Sequence, residues 1–121
     1  MVGRRAHGEL EAQVMRVLWE QSEPVGAGVI QKQLPGPSPA YTTVLTVLDR
    51  LEQKGQVVRS SDSPRKVRFR AARSGDEHAG STMIDALDDA QDRQAALLHF
   101  AGTLSTDDAA VLQRALGQKR R

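Results

Sequence analysis

Three threonines fall close together, Thr42, Thr43 and Thr46, with Tyr41 just before them and Arg50 one turn further on. A threonine hydroxyl can bond a phosphate oxygen or a base edge, and its methyl can meet the methyl of thymine. Threonine is a middling helix former, so a cluster on an exposed helix face asks for a reason beyond folding. The plainer use of Thr42 and Thr43 is to satisfy backbone groups in a first helical turn. A second polar group follows at 59–70, where Arg59, Arg65, Lys66, Arg68 and Arg70 stand against Asp62 alone. Arg65, Lys66 and Arg68 suit backbone phosphates or the minor groove of a duplex, whereas Arg70 fits a solvated surface as well. The chemistry these residues share is contact with double-stranded DNA.

Other chemistries find little support. His7, His78 and His99 lie far apart, and no HExxH or similar metal-ligand spacing occurs. Asp85, Asp88, Asp89 and Asp92 share one helical region, but with no base or sheet-lined pocket nearby they read as a solvated face. Walker A, GxGxxG and GxSxG patterns are absent. Cysteine is absent too, which excludes a disulfide framework, a thiolate zinc site and a Cys nucleophile. The expectation is a protein that is not an enzyme and uses no cofactor or metal.

The elements that must carry the polar groups follow from apolar spacing. Residues 9–20 read as a helix with Leu10, Val14, Val17 and Leu18 on one stripe, broadened by Met15 and Trp19. Trp19 reads as a core residue on which a small core leans. Residues 27–34 fit a short helix that buries Val29, Ile30 and Leu34, stopped by Pro35-Gly36-Pro37. The third helix is expected over 39–54, with Ser38 as cap, Pro39 in the first position and Gly55 closing the end. Its apolar face is Val44, Leu45, Val47, Leu48 and Leu51. Strands at 56–60 and 66–70 form a hairpin, with Val67 and Phe69 on one face and basic residues on the other. Further helices fit 76–90, 92–102 and 106–116, the last capped by Ser105 with Asp107 and Asp108 in its first turn.

The fold expected is mostly α with a small β-hairpin: a winged helix-turn-helix over 1–72, then a helical dimerisation region over 73–121. Three helices and a hairpin in about 70 residues make the winged unit, with helix 39–54 as recognition helix and the hairpin as wing. The remaining helices number too few residues to close a core alone, since about 45 residues is marginal for independent folding. Their apolar positions, Met83, Ile84, Leu87, Leu97, Phe100, Leu112 and Leu116, therefore call for a second copy, two-fold dimers being the commonest assemblies.

Charge is divided along the same line. The 121 residues carry 17 Lys/Arg and 15 Asp/Glu, a net of +2. Residues 1–72 hold 11 basic and 7 acidic residues, whereas 73–121 hold 6 and 8. A basic module followed by an acidic one is a common mark of a nucleic-acid-facing half. No apolar run approaches the ~20 residues needed to span a bilayer. The first residues, from Met1 to His7, lack the apolar stretch of a signal peptide, so the cytoplasm is the expected compartment.

At 41–55 the sequence reads Tyr-Thr-Thr-Val-Leu-Thr-Val-Leu-Asp-Arg-Leu-Glu-Gln-Lys-Gly. This block resembles the recognition-helix signature of the BlaI/MecI (penicillinase repressor) family of bacterial regulators. The resemblance extends to Leu10-Glu11, Val14-Met15 and Leu18-Trp19, and to the run from Gln94 to Phe100. It implies a homodimeric transcriptional repressor that binds a palindromic operator, with Thr42, Thr43 and Thr46 entering the major groove. It also implies relief of repression through a membrane sensor protease and cleavage at an Asn-Phe bond in the dimerisation region. The matching pair here is His99-Phe100, which keeps the phenylalanine and lacks the asparagine. The copper-responsive branch of the family uses cysteines that this chain does not have. A different use of the same fold, as a protein-interaction module, would show as a partner bound through the third helix or the wing without any bound DNA.

Overall fold

A computed structural model describes residues 8–119; His7, Arg120 and Arg121 lie outside the described residues. The elements run α1 (Glu9–Trp19), α2 (Ala27–Gln33), α3 (Tyr41–Gln53), β1 (Val57–Ser61), β2 (Val67–Ala71), α4 (Gly75–Asp88), α5 (Arg93–Thr103) and α6 (Thr106–Lys119). The chain forms two compact units, one up to His78 and one from Ala79 onward.

The first unit has one core. Val14, Met15, Val17 and Leu18 of α1 meet Ala27, Ile30 and Leu34 from α2 and the residue after it, and Val44, Val47, Leu48 and Leu51 of α3. Each set repeats at three- and four-residue steps, the spacing that places side chains on one helix face. Val57 and Phe69 close the core from the hairpin. The strands are antiparallel, with Val57 opposite Ala71, Arg59 opposite Phe69 and Ser61 opposite Val67. Phe69 is buried, Val67 is half-buried, and Arg68 and Arg70 are exposed, the alternation expected of a half-buried hairpin.

Several details depart from the sequence expectations. Val29 is 42% exposed, because the buried stripe of the short α2 runs Ala27, Ile30, Leu34 and leaves Val29 beside it. Helix α3 begins at Tyr41, not at 39, and Ser38 does not cap it. Ala40 is the N-cap in extended conformation, and its carbonyl accepts the first helical bond from Val44 at 3.1 Å. The Pro39 carbonyl is taken by Gln31 Nε2 at 2.8 Å, which ties the turn to α2 instead. Both strands sit one residue later than expected. Val25, between Pro24 and Gly26, adds a bridge to the hairpin: its N–H donates to Phe69 at 2.9 Å and its carbonyl accepts from Phe69 at 2.8 Å. Trp19 stands half-buried at the core's edge and not at its centre. Its indole packs on Gly75 and lies 5.3 Å from the His78 ring, centroid to centroid; Phe69 is the fully buried aromatic.

Helix ends are set by short-range bonds. Gly55 adopts φ +78°. Its N–H reaches the Glu52 carbonyl at 2.9 Å and that of Gln56 reaches Leu51 at 2.9 Å, the double closure of a Schellman motif. Ser74 and Glu77 form a capping box at the start of α4: Ser74 Oγ accepts from the Glu77 N–H at 3.1 Å, and the Glu77 carboxylate accepts from the Ser74 N–H at 3.0 Å. That backbone bond, chiefly, and the Ser74 hydroxyl hold the Glu77 carboxyl below its ordinary value. Asp92 caps α5 through Ala95, and Ser105 caps α6 through Asp108.

Two stability predictions follow from these ends. Open space surrounds the position of a Cβ at Gly55, so Gly55→Ala carries only the backbone penalty of a positive φ and costs about 1–2 kcal/mol in a denaturant melt. A lowered folded-state pKa at Glu77 contributes stability above the unfolded-state value, lost as pH falls through the folded one. Glu77→Gln is therefore expected to flatten the acid side of the stability-versus-pH curve, measured by thermal melts from neutral to acid pH.

Candidate nucleic-acid interface

Helix α3 divides cleanly into two faces. Val44, Val47, Leu48 and Leu51 are buried, while Tyr41, Thr42, Thr43, Thr46, Asp49, Arg50 and Gln53 are exposed. The core side anchors the helix, and the other side presents the threonines to solvent. The hydroxyl of Thr46 donates to the Thr42 carbonyl at 3.0 Å. This back-bond engages its proton and leaves its methyl and oxygen lone pairs outward. Among the described residues Thr42 and Thr43 have no such partner, so local backbone satisfaction falls to Thr46 and not to the first-turn pair.

The wing cations are differently placed. Arg65, Lys66 and Arg68 are exposed, and among the described residues none of them has an ion-pair partner. They line a cleft with Gln21, Ser22 and Glu23 from the connection between α1 and α2, and with Val29. Ser61 and Ser63 tighten the loop, with Ser61 Oγ donating to the Ser63 carbonyl at 2.7 Å and the Lys66 N–H donating to the same oxygen at 2.9 Å. Arg70 donates to the adjacent Ala71 carbonyl at 3.3 Å. The threonines and the wing cations are two separate groups on one unit: no hydrogen bond among the described residues joins them.

Not every cation of the basic stretch is free. Arg59 donates through Nε to Glu52 at 3.2 Å and through its other end to Asp49, both on α3. Arg50, a candidate DNA contact, lies 3.9 Å from Glu11 of α1, to which Lys54 also donates at 2.8 Å. Two acids of α3, Asp49 and Glu52, are thus tied to the hairpin through Arg59. The sequence carries a signal for this: two acids three positions apart on one helix call for a counter-charge, and Arg59 is the first basic residue after Gly55.

In the second unit no residue of α5 or α6 is buried. Met83, Ile84, Leu97, Phe100, Leu112 and Leu116 are all exposed in the single chain, and Leu87 is half-buried. Leu98 and Val111 extend the exposed apolar surface beyond the residues expected. His99 and Phe100 lie inside α5, both exposed. Among the described residues no group of three His, Asp or Glu could hold a metal ion, and no helix is long and apolar enough to cross a membrane.

The family model described as penicillinase repressor matches residues 7–118. The chain belongs to the penicillinase repressor family. That family comprises transcriptional repressors, not enzymes. The transcriptional regulator BlaI of Mycobacterium tuberculosis, in strains CDC 1551 and H37Rv alike, is 40% identical over 115 residues, covering 92% of this chain and 83% of its own length. Among solved structures, a MarR family protein from Bacillus stearothermophilus superposes with a TM-score of 0.47 at 20% identity, over 92% of this chain and 71% of that one.

In this member of the family the exposed groups differ in the chemistry they offer to a nucleic acid. Thr43 presents a hydroxyl and a methyl suited to a base edge, and Arg68 presents only charge. Thr43→Ala is expected to narrow the affinity ratio between operator and random DNA by several-fold up to about tenfold. Arg68→Ala is expected to weaken binding to both alike and make the salt slope shallower by about one. Fluorescence anisotropy titrations at several salt concentrations check the two together.

Proposed function

We propose that this chain is a homodimeric repressor that binds a palindromic operator, with α3 in the major groove and the wing on flanking phosphates. The observation that carries the reading is the outward face of α3. Thr42 and Thr43 leave their side chains unengaged on a helix whose other face is fixed in the core, as a base-reading surface requires. Arg65, Lys66 and Arg68, without ion-pair partners among the described residues, supply the sequence-independent attraction to phosphates. The exposed apolar residues of α4, α5 and α6 supply the second element. Exposed apolar surfaces of this extent are commonly covered by another molecule, and in a two-fold dimer one interface covers the surfaces of both copies.

Dimerisation links two half-site contacts, so the second contact forms at high effective concentration. A two-fold protein then reads half-sites about one helical turn apart, roughly 34 Å. Relief of repression follows from the same linkage. A break at His99–Phe100 interrupts α5 in the middle of the apolar surface, and two joined contacts become two weak ones. In this reading a sensor protease pathway at the membrane controls the cut, and the repressor itself works on DNA in the cytoplasm.

The test is a gel shift with the DNA upstream of the protein's own gene, using the full chain and a Leu97→Asp/Leu112→Asp variant. The full chain is expected to shift the fragment as a dimer. The variant is expected to sediment as a monomer and to lose about 10²–10⁴ in operator affinity. A full chain that binds operator and random DNA equally, or that shifts no fragment and instead captures a protein through α3, would overturn the reading.

A further inference from the structure

Asp49 sits on the face of α3 that otherwise carries threonines: Thr42, Thr46 and Asp49 succeed one another at helical spacing, all exposed. An acid there faces the phosphates of any duplex that α3 enters, and like charges repel. Its charge is met from the wing. Arg59, on β1, donates to Asp49 and through Nε to Glu52 at 3.2 Å. The same guanidinium lies 5.2 Å from the centroid of the Phe69 ring, directly across the strand pair. The nearby cations are drawn elsewhere, since Arg50 of α3 lies 3.9 Å from Glu11 on α1 and Lys54, at the C-cap, donates to Glu11 at 2.8 Å. Arg59 is thus the cation that the two acids share, and it offsets one of their two charges.

Fold stability alone does not account for this arrangement. The Arg59 side chain is 38% exposed and that of Asp49 60%, and ion pairs so open to water add little to stability. We propose that Arg59 is a positioning residue for DNA binding that does not itself touch DNA. Its fork spans Asp49 and Glu52, offsets one of their two negative charges, and holds the Asp49 carboxylate toward β1 instead of toward the phosphates of the duplex, so that Asp49 does its full harm only when Arg59 is gone. Lysine offers a point charge where arginine offers a planar fork, so it cannot span both acids with the same geometry. The inference rests on the DNA-binding reading above.

A double-mutant cycle in DNA affinity tests it, with Arg59→Gln, Asp49→Asn and the two combined. The probe is a duplex from the region upstream of the protein's own gene, with a random duplex of equal length beside it. Circular dichroism and thermal melts establish that each variant is folded. Arg59→Gln is expected to weaken operator binding about five- to tenfold, the scale of one uncompensated charge near a phosphate, with little change in Tm. Asp49→Asn is expected to raise affinity much more in the Arg59→Gln background, where it recovers most of the loss, than in the wild type. Arg59→Lys is expected to fall between the wild type and Arg59→Gln. If Asp49→Asn shifts affinity by the same factor in both backgrounds, Arg59 acts on the phosphates independently and the inference falls. It falls too if the loss tracks a lowered Tm and Asp49→Asn does not restore it. Failure of the underlying reading shows separately, as wild-type protein that does not distinguish the two duplexes.

Discussion

The wing is attached to the helices through Phe69. Its side chain is buried to within 1% of its surface among the aliphatic residues of the three helices. Its backbone makes both bonds of the bridge to Val25, at 2.8 and 2.9 Å. Across the strand pair it lies under the Arg59 guanidinium. A two-stranded hairpin is marginal in water by itself, so this one takes its order from the side chain it inserts and from the short segment it recruits. The direction of every exposed residue on β2 then follows. With Phe69 inward, Arg68 and Arg70 must point outward, and a one-residue slip in register would reverse them. The position of the wing's charges is therefore a consequence of core packing.

Charge is organised on the same scaffold. A net of +2 is too small to mark a DNA-binding surface. What matters is which cations are already paired. Arg59 is bound to Asp49 and Glu52, while Lys54 and, more loosely, Arg50 are drawn to Glu11. Arg65, Lys66 and Arg68 are left for other partners. Cations held within the unit act at short range, whereas those at the wing loop are open to solvent and, in the proposed complex, would meet phosphates through a salt-screened attraction. Counting the basic stretch as one patch blurs two different roles.

Much of this was legible in the sequence because periodicity and short-range chemistry are local. The stripe of α1, the buried face of α3, the alternation around Phe69, the closure at Gly55 and the cap at Ser105 all depend on residues a few positions apart. The misreadings involve contacts across the chain. Ser38 and Pro39 satisfy every local rule for a helix start, yet Gln31 takes the Pro39 carbonyl and the helix begins at Tyr41. Val25 is a lone residue between a proline and a glycine, and only the partner strand makes it part of a sheet. Val29 is as apolar as Ile30, and a helix of seven residues is too short for periodicity to decide which of them faces inward. The threonines were legible as a cluster, but only the structure separates Thr46, with its bonded hydroxyl, from Thr42 and Thr43.

The C-terminal helices pose the opposite problem, since their boundaries are well defined while their packing is incomplete. Asp92 and Ser105 cap their helices and Ser74–Glu77 starts α4 firmly, so local bonds account for where each helix begins. Local bonds do not account for why the helices persist, because an isolated helix of this length is marginal in water without a packed face. Phe100, at 43% exposure, and its apolar neighbours leave much of that face open in the single chain. In the proposed dimer the same burial that stabilises α5 and α6 also joins the two recognition helices. Helix order, assembly and operator affinity then rise and fall together with protein concentration. A cut within α5 would act on all three at once while leaving the core of the first unit, and so the reading surface of α3, intact.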